Sequence, residues 1–505
     1  MSVENEIPSP SHIGMRFGAL ALGTWLAFTV VVSGEIPNSE EAWTLFLLVV
    51  SLGLPLWCCF HQPRRHPSAG LDLFQSGTVL ACMFYVYYLA PAVHVWRDLA
   101  YHSDWMDPTW PAARLYQFTL FVCLLGLVAF KAGYQRGPRL PKDYVRREPR
   151  DGTWPASATA LATAMLLIGL PFRLHHVSAF GGFTPNLLLY LSPSYLTESG
   201  VKIGGVPTFF ETFFNWGALL LVLRAIVTNR QRVLSLVVWG VAFAFAYLLS
   251  GKRSAILPFF LYPVTWLHYL KRRISIKRGL LYLTAAFTLV TFLLFMRTIG
   301  PLLVTSGFSL SAVPKSIALE PARFYINSPE LNVFDMTMLA VQDRHSLLHE
   351  LGGPFWGGLQ YNLAPGVYVI PRFLWPSKPS FRDVGQVFFQ HAVDVRGQED
   401  VGFAVGIVGG LYVFGGLAGV LVGMVLIGVL FRSMYEWLEP WSGGPRQVFI
   451  YGIALWMGFL FLRFGNLGST LMYFSQFELP GIVAALLVLP PGKRPTSLDG
   501  TVSKS

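Results

Sequence analysis

The sequence predicts an all-α polytopic membrane protein of about twelve transmembrane helices, with one large non-cytoplasmic loop that contains short helices. Three observations predict it. Of the 505 residues, 53% are hydrophobic and only 13% charged, whereas a soluble domain carries about 25% charged residues. Apolar runs of the roughly 20 residues needed to cross a ~30 Å hydrocarbon core recur along most of the chain. The lysines and arginines alternate between rich and poor connections, the pattern that orients helices in a bilayer.

The expected spans lie at 14–34, 43–61, 73–95, 113–131, 156–173, 207–228, 233–250, 254–270, 279–299, 403–431, 447–462 and 467–489. The first follows a polar start with no basic n-region and is followed by no small-residue cleavage site, so it is expected to stay as a span. The runs at 156–173 and 254–270 are short, and 403–431 is long enough to be tilted or broken. Twelve spans put both termini on one side. The connections after spans two, four, six, eight and ten, with the tails and Arg16, carry 22 Lys/Arg, against 7 for the alternate short connections. The run 131–150 supplies Lys131, Arg136, Arg139, Lys142, Arg146, Arg147 and Arg150, while Glu35 to Ala42 has three acids and no base. Both termini are therefore expected to be cytoplasmic, and residues 300–402 outside. One membrane domain over 1–505 is expected, because a bilayer replaces separate cores with one lateral bundle.

Several function classes fall away at this point. The net charge of +11 is spread between apolar runs rather than along a polar face, so it reads as topology and implies no nucleic-acid partner. Cys58, Cys59, Cys82 and Cys123 fall inside expected spans and read as small core residues. Glycines at Gly402, Gly406 and Gly410, then Gly415, Gly419 and Gly423, have the spacing that lets membrane helices approach closely. No nucleotide loop, zinc motif or nucleophile elbow occurs, so no metal and no cofactor is expected.

The chemistry is expected outside. Ser250-Gly251-Lys252-Arg253-Ser254 forms a tight outer turn that breaks the positive-inside bias, and a surface-held anion is the natural counterweight, since arginine matches phosphate oxygens with a planar fork. A lipid-facing snorkelling pair is the alternative. Arg297, Arg463 and Arg173 with His175 and His176 fall at the same level, and together they point to a basic cavity suited to a lipid-linked phosphate. Within the loop, Ser328-Pro329-Glu330 reads as a helix start, and Leu331, Phe334, Met338 and Val341 recur at helical spacing, a stripe better explained by packing than by membrane contact. The loop adds Arg323, Arg344, Arg372, Lys378 and Arg382. Its proton acceptors are Asp335, Asp343, His345, His349, Glu350, His391, Asp394, Glu399 and Asp400, and the sequence does not choose among them.

Leu248-Leu249-Ser250-Gly251-Lys252-Arg253-Ser254 at a span boundary, then Ile370-Pro371-Arg372-Phe373-Leu374-Trp375-Pro376-Ser377-Lys378-Pro379 late in the outer loop, resemble bacterial oligosaccharide repeat-unit polymerases, the Wzy-type O-antigen polymerases. The glycine-rich start of a span, from Ala404-Val405-Gly406 through Leu411-Tyr412-Val413-Phe414-Gly415-Gly416 to Gly428, is similar as well. The resemblance implies a metal-independent glycosyltransferase in the bacterial inner membrane, acting on undecaprenyl-pyrophosphate-linked oligosaccharide at the periplasmic face. It implies that Arg253 and Arg297 hold the pyrophosphate, with Lys252, Arg323, Arg372, Arg382 and Arg463 as the further candidate ligands from the residues themselves. Asp335, Asp343, His345 and His391 are the candidates for deprotonating the acceptor sugar. Besides membrane lipid, a chain-length regulator and a flippase are the partners implied. An O-antigen ligase, a transporter of lipid-linked sugars and a structural assembly subunit remain as alternatives; a transporter would show internal repeats and mid-membrane ionisable residues, and the hydropathy pattern displays neither.

Overall fold

The computed structural model describes residues 39–60, 72–89, 112–138, 154–179, 205–250, 253–271, 333–368, 404–438 and 444–490, with isolated positions between them. Among these residues the chain is helical and contains no strand. The first helices are α1 (Ser39–Phe60), α2 (Ser76–Phe84, continued as a π-helix over Tyr85–Leu89), α3 (Ala112–Arg136), α4 (Ala156–Ala179), α5 (Gly205–Thr228), α6 (Arg232–Ser250) and α7 (Arg253–Leu270). Then come α8 (Val333–Gln342), α9 (Arg344–Glu350), α10 (Pro354–Tyr368), α11 (Gly406–Leu438) and α12 (Pro445–Phe464). The last are α13 (Leu467–Tyr473, leading into a π-helix over Phe474–Glu478) and α14 (Leu479–Val488).

Among the described residues six stretches are long and apolar enough to cross a membrane: 113–136, 156–179, 207–228, 406–438, 445–464 and 467–488. The expected spans near 43–61, 73–95, 233–250 and 254–270 are helical but carry shorter apolar stretches. That at 14–34 falls wholly, and that at 279–299 mostly, outside the described residues. Large apolar side chains face outward on the spans, for example Leu167, Val237, Val422, Leu426 and Leu430, the reverse of a helix that meets water on its outer face.

Glycine sets the closest helix contacts. A Cβ on Gly133 of α3 would run into the Val425 carbonyl of α11, and one on Gly428 of α11 into the Phe130 carbonyl of α3. Backbones meet there with no side chain between, which is how small residues bind helices in lipid. The same device joins α4 to α5, where Gly169 faces the Phe214 backbone and Gly217 faces Ala162 and Leu166. Of the glycines read as a packing stripe, Gly406 and Gly410 face other helices, but Gly419 and Gly423 face Leu411 of their own helix. The reason is a break in α11 at Gly416, whose φ of 58° and ψ of −152° belong to a region essentially reserved for glycine.

The bundle has two distinct ends. One gathers the residues preceding α2, the end of α7, the end of α11 and the residues preceding α12, around Asp72. The other gathers the end of α2, the start of α11, the end of α12 and the loop helices α8 to α10. These are the two sets of ends that the charge pattern assigns to opposite sides; the grouping fixes the sets and not which side each faces. Helix α8 packs into the bundle, with Val333, Phe334, Met338 and Val341 in the main core. Its apolar stripe is thus a packing surface, while the proposed start at Ser328-Pro329-Glu330 lies outside the described residues.

Candidate functional site at the loop end of the bundle

The break at Gly416 organises this end. In an unbroken helix the Val413 carbonyl would accept the amide of residue 417, and the non-helical Gly416 stands between the two. Arg344, the first residue of α9, donates its Nε to the Tyr412 and Val413 carbonyls, at 3.1 Å and 3.0 Å, and its guanidinium lies 6.0 Å from the Tyr412 ring centroid. A cation thus sits at the carboxyl end of the first half of α11, where the helix dipole favours positive charge. Arg344 therefore serves the loop-to-bundle joint.

Other termini at this end are capped across the fold. Val408, in the first turn of α11, donates its amide to the Tyr88 hydroxyl at 3.2 Å, satisfying one of the amides a helix start leaves over. The Tyr361 hydroxyl of α10 donates to the Phe464 carbonyl at 3.0 Å. Asn466 caps α13 by accepting the Ser469 amide at 2.6 Å, and the Asn362 side chain accepts the Leu467 amide at 3.2 Å.

Three of the four candidate bases are described, and their surroundings differ. Asp335 lies on α8, and burial pushes its carboxyl up to about 7. Asp343 occupies the residue before α9 and accepts from the Gln342 side-chain amide at 3.1 Å. His345 is exposed on α9. His391 lies outside the described residues. Asp335 thus combines packing into the bundle with a carboxyl that burial pushes toward neutrality, the property a general base needs.

Of the expected pyrophosphate ligands, Arg463 alone has a described side chain. It stands in the last turn of α12, half-buried, with its guanidinium 5.9 Å from the Phe464 ring centroid. The sequence places it in the turn between the last two spans; α12 instead runs on to Phe464 and stops at Gly465, whose φ is 75°. A Cβ on Gly465 would meet the Gly406 carbonyl, and one on Gly406 would meet Val333 of α8. The helix ends carrying Arg463 and Asp335 are therefore two glycine contacts apart. Arg253 opens α7, but its side chain lies outside the described residues, as do Lys252, Arg297, Arg323, Arg372 and Arg382.

Arg173 does not join a basic cavity. Its Nη1 is 3.7 Å from Glu211 Oε2 and its Nη2 donates to Asn215 at 2.8 Å, while His176 Nδ1 lies 2.6 Å from the other Glu211 oxygen. Glu211, one helix away on α5, offsets a charge that the sequence shows in isolation. Sequence reasoning also missed Glu478, which accepts from the Tyr262 hydroxyl at 2.8 Å and is buried about halfway along 467–488. Its π-helix leaves the Phe477 carbonyl to accept from Trp216 Nε1 at 2.6 Å. A glutamate inside an apolar run was the available signal. Cys82 is another correction, since it is exposed while Cys58 and Cys123 are buried. Among the described residues no three of His, Cys, Asp or Glu come together in a way that would hold a metal ion.

No known protein family, curated protein or solved structure matches this chain.

Proposed function

We propose that the chain is a membrane glycosyltransferase that polymerises lipid-linked oligosaccharide repeat units at the periplasmic face of a bacterial inner membrane. In the reaction a base takes the acceptor hydroxyl proton, the acceptor oxygen bonds to the donor's anomeric carbon, and the bond from that carbon to the pyrophosphate oxygen breaks. Undecaprenyl pyrophosphate leaves with the bonding pair. Asp335 is the proposed base, and Arg463 stabilises the departing charge together with the arginines carried over from the resemblance, Arg253 and Arg297.

The observation that carries the reading is Asp335, held near 7 by burial at the end of the bundle where Arg463 emerges. The cleaved sugar-phosphate bond supplies the energy, so elongation by purified protein should continue in excess chelator. The test is deletion of the gene followed by analysis of surface polysaccharide. A single repeat unit on the lipid supports polymerase activity, long unattached chains point to a ligase, and cytoplasmic accumulation points to a flippase.

A transporter is the second reading, favoured by Glu478. An ionisable side chain buried midway along a spanning helix is a common mark of a translocation or proton pathway, and π-helical turns concentrate at functional sites. Loss of substrate export in Glu478→Gln, with elongation of externally supplied substrate intact, would favour it over the polymerase.

A further inference from the structure

Helix α10 is inverted relative to a helix that meets water. Its buried side is made of small residues and one tyrosine: Gly357 packs against Leu351 and Phe414, Gly358 lies against Phe414, and Tyr361 is anchored on the Phe464 carbonyl. Its outward side carries Phe355 at 71% exposure, Trp356 at 61%, Leu359 at 39% and Leu363 at 51%, with Gln360 beside them. The 15 residues include no charge. A soluble helix buries its large apolar side chains and turns charge outward; this one does the opposite.

The neighbourhood says what covers that face. Helix α10 is fastened to the start of α13 by the Asn362 to Leu467 hydrogen bond, and α13 opens a stretch long and apolar enough to cross the membrane. Leu467 and Leu471, each 46% exposed, are outward apolar residues of that stretch where α10 is fastened to it. Aromatic residues at the head of such a surface match the belt where tryptophan sits between headgroups and acyl chains, and an uncharged helix with one apolar face can lie in that plane.

We infer that α10 lies in the membrane interface at the loop end of the bundle, with Phe355, Trp356, Leu359 and Leu363 seated in lipid. The occupant of the exposed face is the bilayer itself. This holds the loop helices α8 and α9, and with them Asp335 and Arg344, against the membrane surface, with the exposed His349 on the water side.

Spin labels test it in the full chain, with the four native cysteines replaced by alanine and the protein reconstituted in vesicles of phosphatidylethanolamine and phosphatidylglycerol. Single labels are placed at Trp356→Cys, Leu359→Cys and Leu363→Cys, with Leu421→Cys on a spanning helix as the lipid reference and His349→Cys as the aqueous one. These positions are exposed, so the fold is retained. Relaxation by oxygen relative to a water-soluble nickel complex should be several-fold higher at the three α10 sites than at His349, and close to Leu421. Strong relaxation by the nickel complex would place the face in water and overturn the inference. Weak relaxation by both reagents would mean that protein, from this chain or a second copy, covers it, and would overturn it too. The readout needs no enzymatic activity, so it stands apart from the proposed reaction.

Discussion

His268 Nε2 lies 3.2 Å from Asp72 Oδ1, and this pair ties the end of α7 to the residues that lead into α2. His268 Nδ1 accepts the Ile274 amide at 3.1 Å, so the ring carries its hydrogen on Nε2, the nitrogen nearer the carboxylate. Tyr269, Tyr435 and Trp441 Nε1 donate to Asp72 Oδ2 at 3.0 Å, 2.8 Å and 2.9 Å, and the Phe74 amide donates to Oδ1 at 3.1 Å. Burial works to raise this carboxyl. The contact with His268, with the donors Tyr435 and Trp441, outweighs it and holds Asp72 below the usual carboxylate range.

Asp72→Ala should therefore destabilise the protein by about 3–5 kcal/mol, the cost of breaking a buried charged network. Because the folded carboxyl is depressed, its stabilisation is full above the unfolded value of about 4 and is lost as pH falls below it. Thermal unfolding in detergent should show the wild type losing its margin over Asp72→Ala as pH drops below about 4; an unchanged margin would refute the ionised hub.

Asp335 gives the opposite sign. Its folded carboxyl is raised to about 7, so its favourable contribution is full below about 4 and is lost as pH rises through 7. Asp335→Asn should remove that loss, and unfolding midpoints at pH 5 and pH 8 should differ less in the variant than in the wild type. If Asp335 is the base, elongation by the wild type rises through about pH 7, and Asp335→Asn lowers it by roughly 10²–10⁴-fold. Wild-type elongation rates in the variant would remove it from the chemistry.

Arg344→Ala should leave the Tyr412 and Val413 carbonyls without their side-chain donor, at a cost of about 1–3 kcal/mol. Lysine should recover only part, since it lacks the planar guanidinium whose Nε–H is shared by both oxygens beside the Tyr412 ring. Gly416→Ala should cost a similar ~1–3 kcal/mol through backbone strain. Unfolding midpoints of the three variants check the joint, and equal stability of Arg344→Ala and the wild type would deny that the break depends on it.

Tyr262→Phe removes the donor to a carboxyl buried in the bundle and should cost about 1–3 kcal/mol. Adding Glu478→Leu to it should return most of that loss, since replacing both partners leaves no orphaned polar group. A double-mutant cycle on thermal stability measures the coupling, and additive losses would show that the two residues do not depend on each other.

The helical, apolar character of the chain is legible from its residues alone, because each apolar run is a local sum that reads the same whatever packs beside it. So is the burial by α8 of the face bearing Phe334, Met338 and Val341, since periodicity along one helix is also local. The excess length of 403–431 left a tilted or a broken helix open, and Gly416 is where the structure breaks it. Of the candidate site, the sequence supplied Asp335 and Arg463 as members of longer sets and could not rank them: burial at Asp335 comes from helices distant in the chain. Only the tertiary structure decided which charges are offset. Arg173 is a lone cation in hydropathy terms until α5 brings Glu211 to it; Asp72 is a loop acid until α7 and α11 supply His268 and Tyr435. Pairing depends on which helices lie side by side, and that is settled by glycine contacts such as Gly133 on Val425 and Gly169 on Phe214, which no count along the chain contains.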